Sequence, residues 1–337
     1  MFGKKLLFTL GMATLLATGA AEAAPVTLKF ATQNAENAWS TENGLIPWLR
    51  KIEAESDGTL KIELYANQTL AKGPQVWAAI RNGIADMGWI PMNMYAGMNP
   101  LMEVVGLGGL AAEDALQGTE RVWNVYENVE AVRKPWAANR MLAVYSTDTA
   151  SIFLMTKKPV RTLEDLKGMK IRCTAGAYVN WLTALGATPV VMAAPDVYMS
   201  LQKGVIDGLI GDWELVAGFR FADVAPYITK NIPIGNVNFA VAMNRRTYDS
   251  LPAEAKKAID DNSGRAGSMW LARHFSLDSR ELEKEVAPAL KELITLSAEE
   301  KARWTELVGR PLWDKWLETM DDKGLKDAPV VLDYMTK

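Results

Sequence analysis

Histidine and cysteine, the side chains that most often carry nucleophilic or metal chemistry near neutral pH, occur once each in the 337 residues, as His274 and Cys173. His274 sits in Trp270-Leu271-Ala272-Arg273-His274-Phe275, a helical stretch with no second ligand at metal spacing, so a zinc-type site is not expected. A Ser/His/Asp triad would have to use this one histidine, and no Gly-x-Ser-x-Gly elbow is present to supply the serine. Cys173 follows Ile171 and Arg172 on a strand-like run, where a cysteine is ordinarily a small buried hydrophobe. Gly106-Leu107-Gly108-Gly109 lacks the Lys-Ser/Thr of a phosphate loop, and there is no Gly-x-Gly-x-x-Gly fingerprint. No cofactor, no metal and no enzymatic turnover are therefore expected.

Two constellations remain. Arg172 ends the run Leu166-Lys167-Gly168-Met169-Lys170-Ile171-Arg172. A guanidinium is always ionised and makes two parallel charge-assisted hydrogen bonds to a carboxylate, though spacing alone fits a solvated strand-end arginine as well. Asp212 and Glu214 are two residues apart, which on an extended segment puts both carboxylates on one face. That pair is the basis of a rival reading, a periplasmic isomerase or lyase acting on organic acids; solvated turn residues are the ordinary alternative.

The elements that would position these residues follow from periodicity. Met1 to Lys5 gives a basic start, Leu6 to about Ala20 an apolar run, and Ala21-Glu22-Ala23 a small-residue cleavage site, so 1–23 reads as a cleavable leader of an exported protein. Later in the chain no apolar run approaches the ~18 residues of a spanning helix. A formal net charge of −3 disfavours nucleic acid as a partner. With one cysteine no internal disulfide can form, and the length suits two lobes with ordinary cores.

Val26, Leu28 and Phe30 alternate as a strand, Leu45, Leu49 and Ile52 recur at helical spacing, and Leu60, Ile62 and Leu64 alternate again. Strand, helix, strand predicts a βαβ unit with a parallel sheet. Pro74-Gln75-Val76-Trp77-Ala78-Ala79-Ile80-Arg81-Asn82-Gly83-Ile84-Ala85-Asp86 is echoed by Pro195-Asp196-Val197-Tyr198-Met199-Ser200-Leu201-Gln202-Lys203-Gly204-Val205-Ile206-Asp207. Each copy reads as a helix opened by Pro and closed by Gly, leading to Asp at the next strand. The same α/β unit built twice predicts two lobes with a ligand cleft between them. Met141 to Met155 reads as a strand crossing between lobes, Ile234 to Met243 as the return, and the chain from Pro252 onward as mostly helical.

Several segments are similar to the substrate-binding subunits of tripartite ATP-independent periplasmic (TRAP) transporters, the dicarboxylate-binding-protein-like family: Asp165 to Arg172, Leu185-Gly186-Ala187-Thr188-Pro189-Val190, and Val197 to Gly208. The likeness continues through Leu28 to Ala31, Gly83 to Met87, Val224 to Thr229 and Asn244 to Tyr248. It implies an α/β two-lobe periplasmic-binding-protein fold with a long helix spanning both lobes, closing on ligand by a hinge. The expected layout is lobe I over 24–148 with a return segment near 240–265, lobe II over 149–239, and a helical segment over 253–337. The resemblance also implies a small organic acid ligand salt-bridged to Arg172, a periplasmic location, and as partners a small and a large integral membrane subunit driven by an ion gradient; the chain itself is expected to be a monomer, with dimerisation through the long helix left open by the sequence. In such a fold Trp213 stands near Arg172, and Asn236, Asn238 and Phe239 fall where relatives line the cleft. Trp39, Trp89 and Tyr95 are further candidates from the first lobe. The sequence departs from the family at Leu70 to Gln75 and at Leu209-Ile210-Gly211-Asp212-Trp213-Glu214, which points to a specialised pocket. One arginine among several aromatics favours a monocarboxylate with an apolar, aromatic or hydroxylated body over a dicarboxylate. A sensor that hands its signal to a kinase is the alternative within binding proteins.

Overall fold

The computed structural model describes residues 24–95, 97–148, 152–174 and 176–337. The leader read over 1–23 lies outside them, as does the centre of the first crossing at 149–151. Two sheets carry the architecture. The first joins β1 (Val26–Ala31), β2 (Leu60–Tyr65), β3 (Met87–Pro91) and β4 (Asn139–Ser146) with β10 (Asn238–Asn244), in the order β2-β1-β3-β10-β4. The second joins β5 (Phe153–Thr156), β6 (Lys170–Cys173), β7 (Thr188–Val191), β8 (Gly208–Gly211) and β9 (Tyr227–Lys230) with β11 (Glu292–Thr295), in the order β11-β9-β5-β8-β6-β7.

The two sheets are one plan used twice. β2, β1 and β3 run parallel, as do β7, β6 and β8. Beside each trio lies one antiparallel strand that has just crossed from the other lobe: β10 against β3 and β4, and β5 against β8 and β9. The two crossing strands therefore complete one another's lobes. The return into the first sheet starts at Asn238, so Asn238 and Phe239, placed in lobe II by sequence, belong to the first sheet. β11 extends the second sheet from within the C-terminal helical segment.

The repeated sequence explains the repeated geometry. The helices Val76–Arg81 and Val197–Gln202 close at Gly83 and Gly204, with φ of 76° and 73°, a left-handed turn that a β-carbon would strain. Each then delivers an aspartate to the start of a parallel strand. Asp86 Oδ2 accepts the backbone N–H of Lys29 at 2.9 Å while its own N–H donates to the Lys29 carbonyl at 3.0 Å. Asp207 does the same to Lys170, at 2.9 and 2.7 Å. These paired bonds set the register of β1 against β3 and of β6 against β8.

A helical rod over 264–289 spans both lobes. It runs through Gly264–Leu271, a π-helical stretch Ala272–Leu277, a tight turn Asp278–Glu281 and Leu282–Val286, ending at Ala287–Ala289. Leu271, Ala272 and Phe275 pack into the first lobe's core, while Leu282 and Val286 pack into the second lobe's. His274 stacks near Trp270, with ring centroids 4.3 Å apart, and pairs with Asp278 on the rod's partly exposed side. Arg280 grips the buried Asp148 of the first crossing through Nε at 2.6 Å and Nη2 at 2.5 Å. The crossings are also tied to each other: Thr147 N–H donates to the Val237 carbonyl, Val237 N–H to Thr147 Oγ1, and Asn236 Nδ2 to the Thr147 carbonyl at 2.7 Å. Among the described residues no helix is long and apolar enough to cross a membrane.

Candidate functional site

Parallel strands present their C-terminal ends on one side of a sheet, and here the ends of β1, β3, β6 and β8 face each other across the gap between lobes. The gap is a cleft of about 980 Å³ measured out to its open mouth. Its two sides differ in chemistry.

The first lobe supplies an aromatic wall. Trp89 in β3, Phe239 in β10 and Phe275 on the rod all line the cleft. Trp89 lies 4.8 Å from Phe239 and 5.5 Å from Phe275, centroid to centroid, the latter pair stacked. The indole N–H of Trp89 donates to Tyr145 Oη at 2.7 Å, which fixes the ring and satisfies a buried polar group. The wall is thus pre-formed and free of unpaired donors.

The second lobe supplies the charge. Arg172 comes from β6 with only 4% of its surface exposed. Its Nε donates to the Met192 carbonyl at 3.0 Å. Among the described residues no carboxylate lies within salt-bridge distance of the guanidinium, and its terminal nitrogens have no hydrogen-bond partner. Burial therefore dominates, pulling its pKa down to about 10, with Cys173 and Asp212 acting in the opposite direction. A guanidinium buried without a counter-ion is costly, and a bound carboxylate removes that cost. Two residues on, Thr174 also lines the cleft, and its hydroxyl oxygen is sealed from solvent without a partner. Gln33 faces it from the first lobe with an unpartnered Oε1. Counted from Lys29 and Lys170, the two strand residues gripped by the repeat aspartates, Gln33 and Thr174 occupy the same position in each lobe.

Asp212 and Glu214 line the cleft too, but not from an extended segment. Asp212 caps the helix Trp213–Phe219: its Oδ1 accepts the Leu215 N–H at 2.8 Å, so the chain turns helical at once, as aspartate at this position favours. Glu214 Oε1 accepts the hydroxyl of Ser40 at 2.8 Å, a bond from one lobe to the other across the cleft. Burial raises the pKa of both carboxyls. For Asp212 the Leu215 N–H and Arg172 oppose the rise. For Glu214 the charge of Asp212 adds to it and Ser40 opposes it, leaving a value of about 7.

Of the residues singled out by sequence, Arg172, Trp89 and Phe239 line this cleft together with Asp212 and Glu214. The other candidates are not part of its lining. Trp213 is 1% exposed and packs on Phe153, 4.5 Å away, in the second lobe's core. It is the first helical residue after the Asp212 cap, so it points under the sheet while Asp212 and Glu214 point into the cleft. Asn236 braces the crossings, as described above. Asn238 is buried in β10, where its backbone N–H donates to Asn93 Oδ1. Trp39 rests against the second lobe's core beside the Ser40 contact. Tyr95 lines a smaller neighbouring cavity, where its hydroxyl donates to the Gly73 carbonyl and accepts the Trp77 N–H. Cys173, by contrast, is buried as the sequence suggested, and burial raises its thiol pKa to about 11. Among the described residues no three potential ligands cluster for a metal.

Known proteins place this architecture. A protein from an unidentified marine metagenome microbe, a TRAP solute-binding protein specific for aromatic acid ligands solved with 3-hydroxybenzoate, is 28% identical with a TM-score of 0.87. The alignment covers 93% of this chain and 98% of that one. A TRAP solute-binding protein from Rhodoferax ferrireducens, solved with copurified benzoate, is 27% identical with a TM-score of 0.86, covering 92% and 96%. The C4-dicarboxylate-binding periplasmic protein DctP of Rhodobacter capsulatus is 24% identical over 311 residues, 88% of each chain. These relatives are solute-binding proteins, not enzymes. The model of the bacterial extracellular solute-binding proteins of family 7 matches residues 30–319, and the chain is a member of that family, a TRAP-type solute-binding protein.

Proposed function

We propose that this protein captures an aromatic monocarboxylate in the periplasm, after export through its 1–23 leader, and delivers it to the small and large membrane subunits of a TRAP transporter. The observation that carries the ligand reading is Arg172, nearly sealed from solvent with unpaired terminal nitrogens, in the same cleft as the Trp89, Phe239 and Phe275 wall. A carboxylate held by the guanidinium places its attached ring against that wall, where stacked or edge-to-face aromatic contacts each add about 0.5–1.5 kcal/mol beyond area burial. The differing chemistry of the two lobes means that such a ligand contacts both at once, and this differential affinity is what favours the closed state.

A second carboxylate on the ligand would meet Asp212 and Glu214, whose own charges are already disfavoured by burial. That argues for a monoacid over a diacid. The test is a thermal-shift panel of benzoates, phenylacetates, C4 diacids, amino acids and sugars. Stabilisation by aromatic monoacids alone supports the reading; equal or greater stabilisation by succinate-like diacids overturns it.

A further inference from the structure

In the cleft, Arg172 answers a carboxylate and the wall answers a ring, which leaves a third polar feature without a role. Asp212 uses Oδ1 to cap its helix, while Oδ2 has no hydrogen-bond partner among the described residues. Asp212 is half-buried and lines the cleft. Arg172 pairs with Leu209 in the parallel register of β6 and β8, and Asp212 stands three residues farther on, roughly 10 Å along the strand direction. Both side chains line the cleft, where each charge stabilises the other without forming a salt bridge, and the apolar Ile210 and the aromatic wall complete the lining.

An ionised carboxylate has only acceptor sites. A ligand surface that brings no donor to it must strip water from the charge and return nothing. We propose that Asp212 is a specificity-determining residue that selects ligands carrying a hydrogen-bond donor on the ring, set apart from the carboxylate. A ring hydroxyl and an ammonium both supply such a donor; the shared requirement is an O–H or N–H directed at Asp212. This inference rests on the aromatic-carboxylate reading above and narrows it.

The test measures dissociation constants by calorimetry at pH 7 for benzoate, 3-hydroxybenzoate, 3-(aminomethyl)benzoate and 3-methoxybenzoate. The methoxy compound keeps the ring oxygen and removes its donor. The wild-type protein is expected to prefer at least one donor-bearing acid over both benzoate and the methoxy compound by about tenfold or more, the worth of a hydrogen bond to a charged group. A preference for the hydroxyl identifies a neutral donor; a larger, salt-sensitive preference for the ammonium identifies a cation. Asp212→Asn keeps a capping oxygen but offers an amide donor, so it is expected to bring the methoxy and hydroxy acids within about threefold. Equal binding of benzoate and both donor-bearing acids by the wild type overturns the inference while leaving the aromatic-acid reading intact. Failure of all four to bind overturns both. Because the wild-type ratios decide the question alone, poor folding of Asp212→Asn does not protect the inference.

Discussion

Glu214 makes the stability of the fold depend on pH in a direction that follows from its surroundings. It sits in the cleft beside Asp212 on its own helix, receives the Ser40 hydroxyl from the opposite lobe, and shares the cleft with the Arg172 cation of β6. Its pKa rises from 4.5 to about 7, chiefly through burial and then through the Asp212 charge. A carboxyl with a raised folded-state pKa leaves the fold unpenalised below its unfolded value. It destabilises progressively as pH climbs from there to the folded value, and the penalty is constant above it. The full span corresponds to about 3 kcal/mol. Glu214→Gln keeps the shape and an acceptor for Ser40 while removing the charge. The stability difference between variant and wild type should therefore shift in the variant's favour by about 2 kcal/mol between pH 5 and pH 8. Urea unfolding of both ligand-free proteins across that range measures it, and titrations elsewhere in the chain cancel in the comparison. A difference that stays flat from pH 5 to pH 8 would show that Glu214 is solvated like a surface carboxylate, and the reasoning about this cleft would fail.

Three further outcomes follow from the same geometry. Arg172→Met removes a cation whose burial lowers its pKa from 12.5 to about 10, so the ligand-free fold is expected to gain about 1–3 kcal/mol in urea unfolding even as function is lost. Trp213→Ala empties a core position against Phe153 and should cost about 3–5 kcal/mol in the same assay, while the folded fraction binds ligand within threefold of wild type. Asp86→Ala and Asp207→Ala each remove one side-chain acceptor for a strand N–H, and each is expected to cost about 1–2 kcal/mol, with faster hydrogen exchange at Lys29 in the first and Lys170 in the second.

The doubling of the fold was legible because its cause is local. Pro, Gly and Asp recur at the same offsets, and each performs a job that only the adjacent backbone requires: opening a helix, closing it left-handed, and holding the next strand's neighbour. β11 was not legible, since it is a short edge strand whose pairing with β9 depends on a partner some sixty residues away. The site divides along the same line. Arg172 was found through resemblance, but nothing in the spacing of twelve tryptophans separates Trp89, whose ring meets the cleft, from Trp213, which a helix cap turns inward. Thr174 and Gln33 were missed, although the signal was present: extending the internal repeat back to Lys29 and Lys170 puts both at the same place. Phe275 carried no local mark at all, because its position in the cleft is set by a rod that packs against both lobes.

The central claim is that Arg172 holds the ligand's carboxylate in a cleft walled by aromatic rings, and calorimetric titration of the best aromatic monoacid against wild type, Arg172→Lys and Arg172→Met tests it most directly. Two charge-assisted hydrogen bonds at about 1.5–3 kcal/mol each should make Arg172→Met weaker by on the order of a hundredfold or more, with Arg172→Lys intermediate because it keeps the charge and loses the planar fork. Since Arg172→Met is expected to be at least as stable as wild type without ligand, a loss of that size reads as lost recognition rather than lost folding. Binding by Arg172→Met within threefold of wild type would contradict the account.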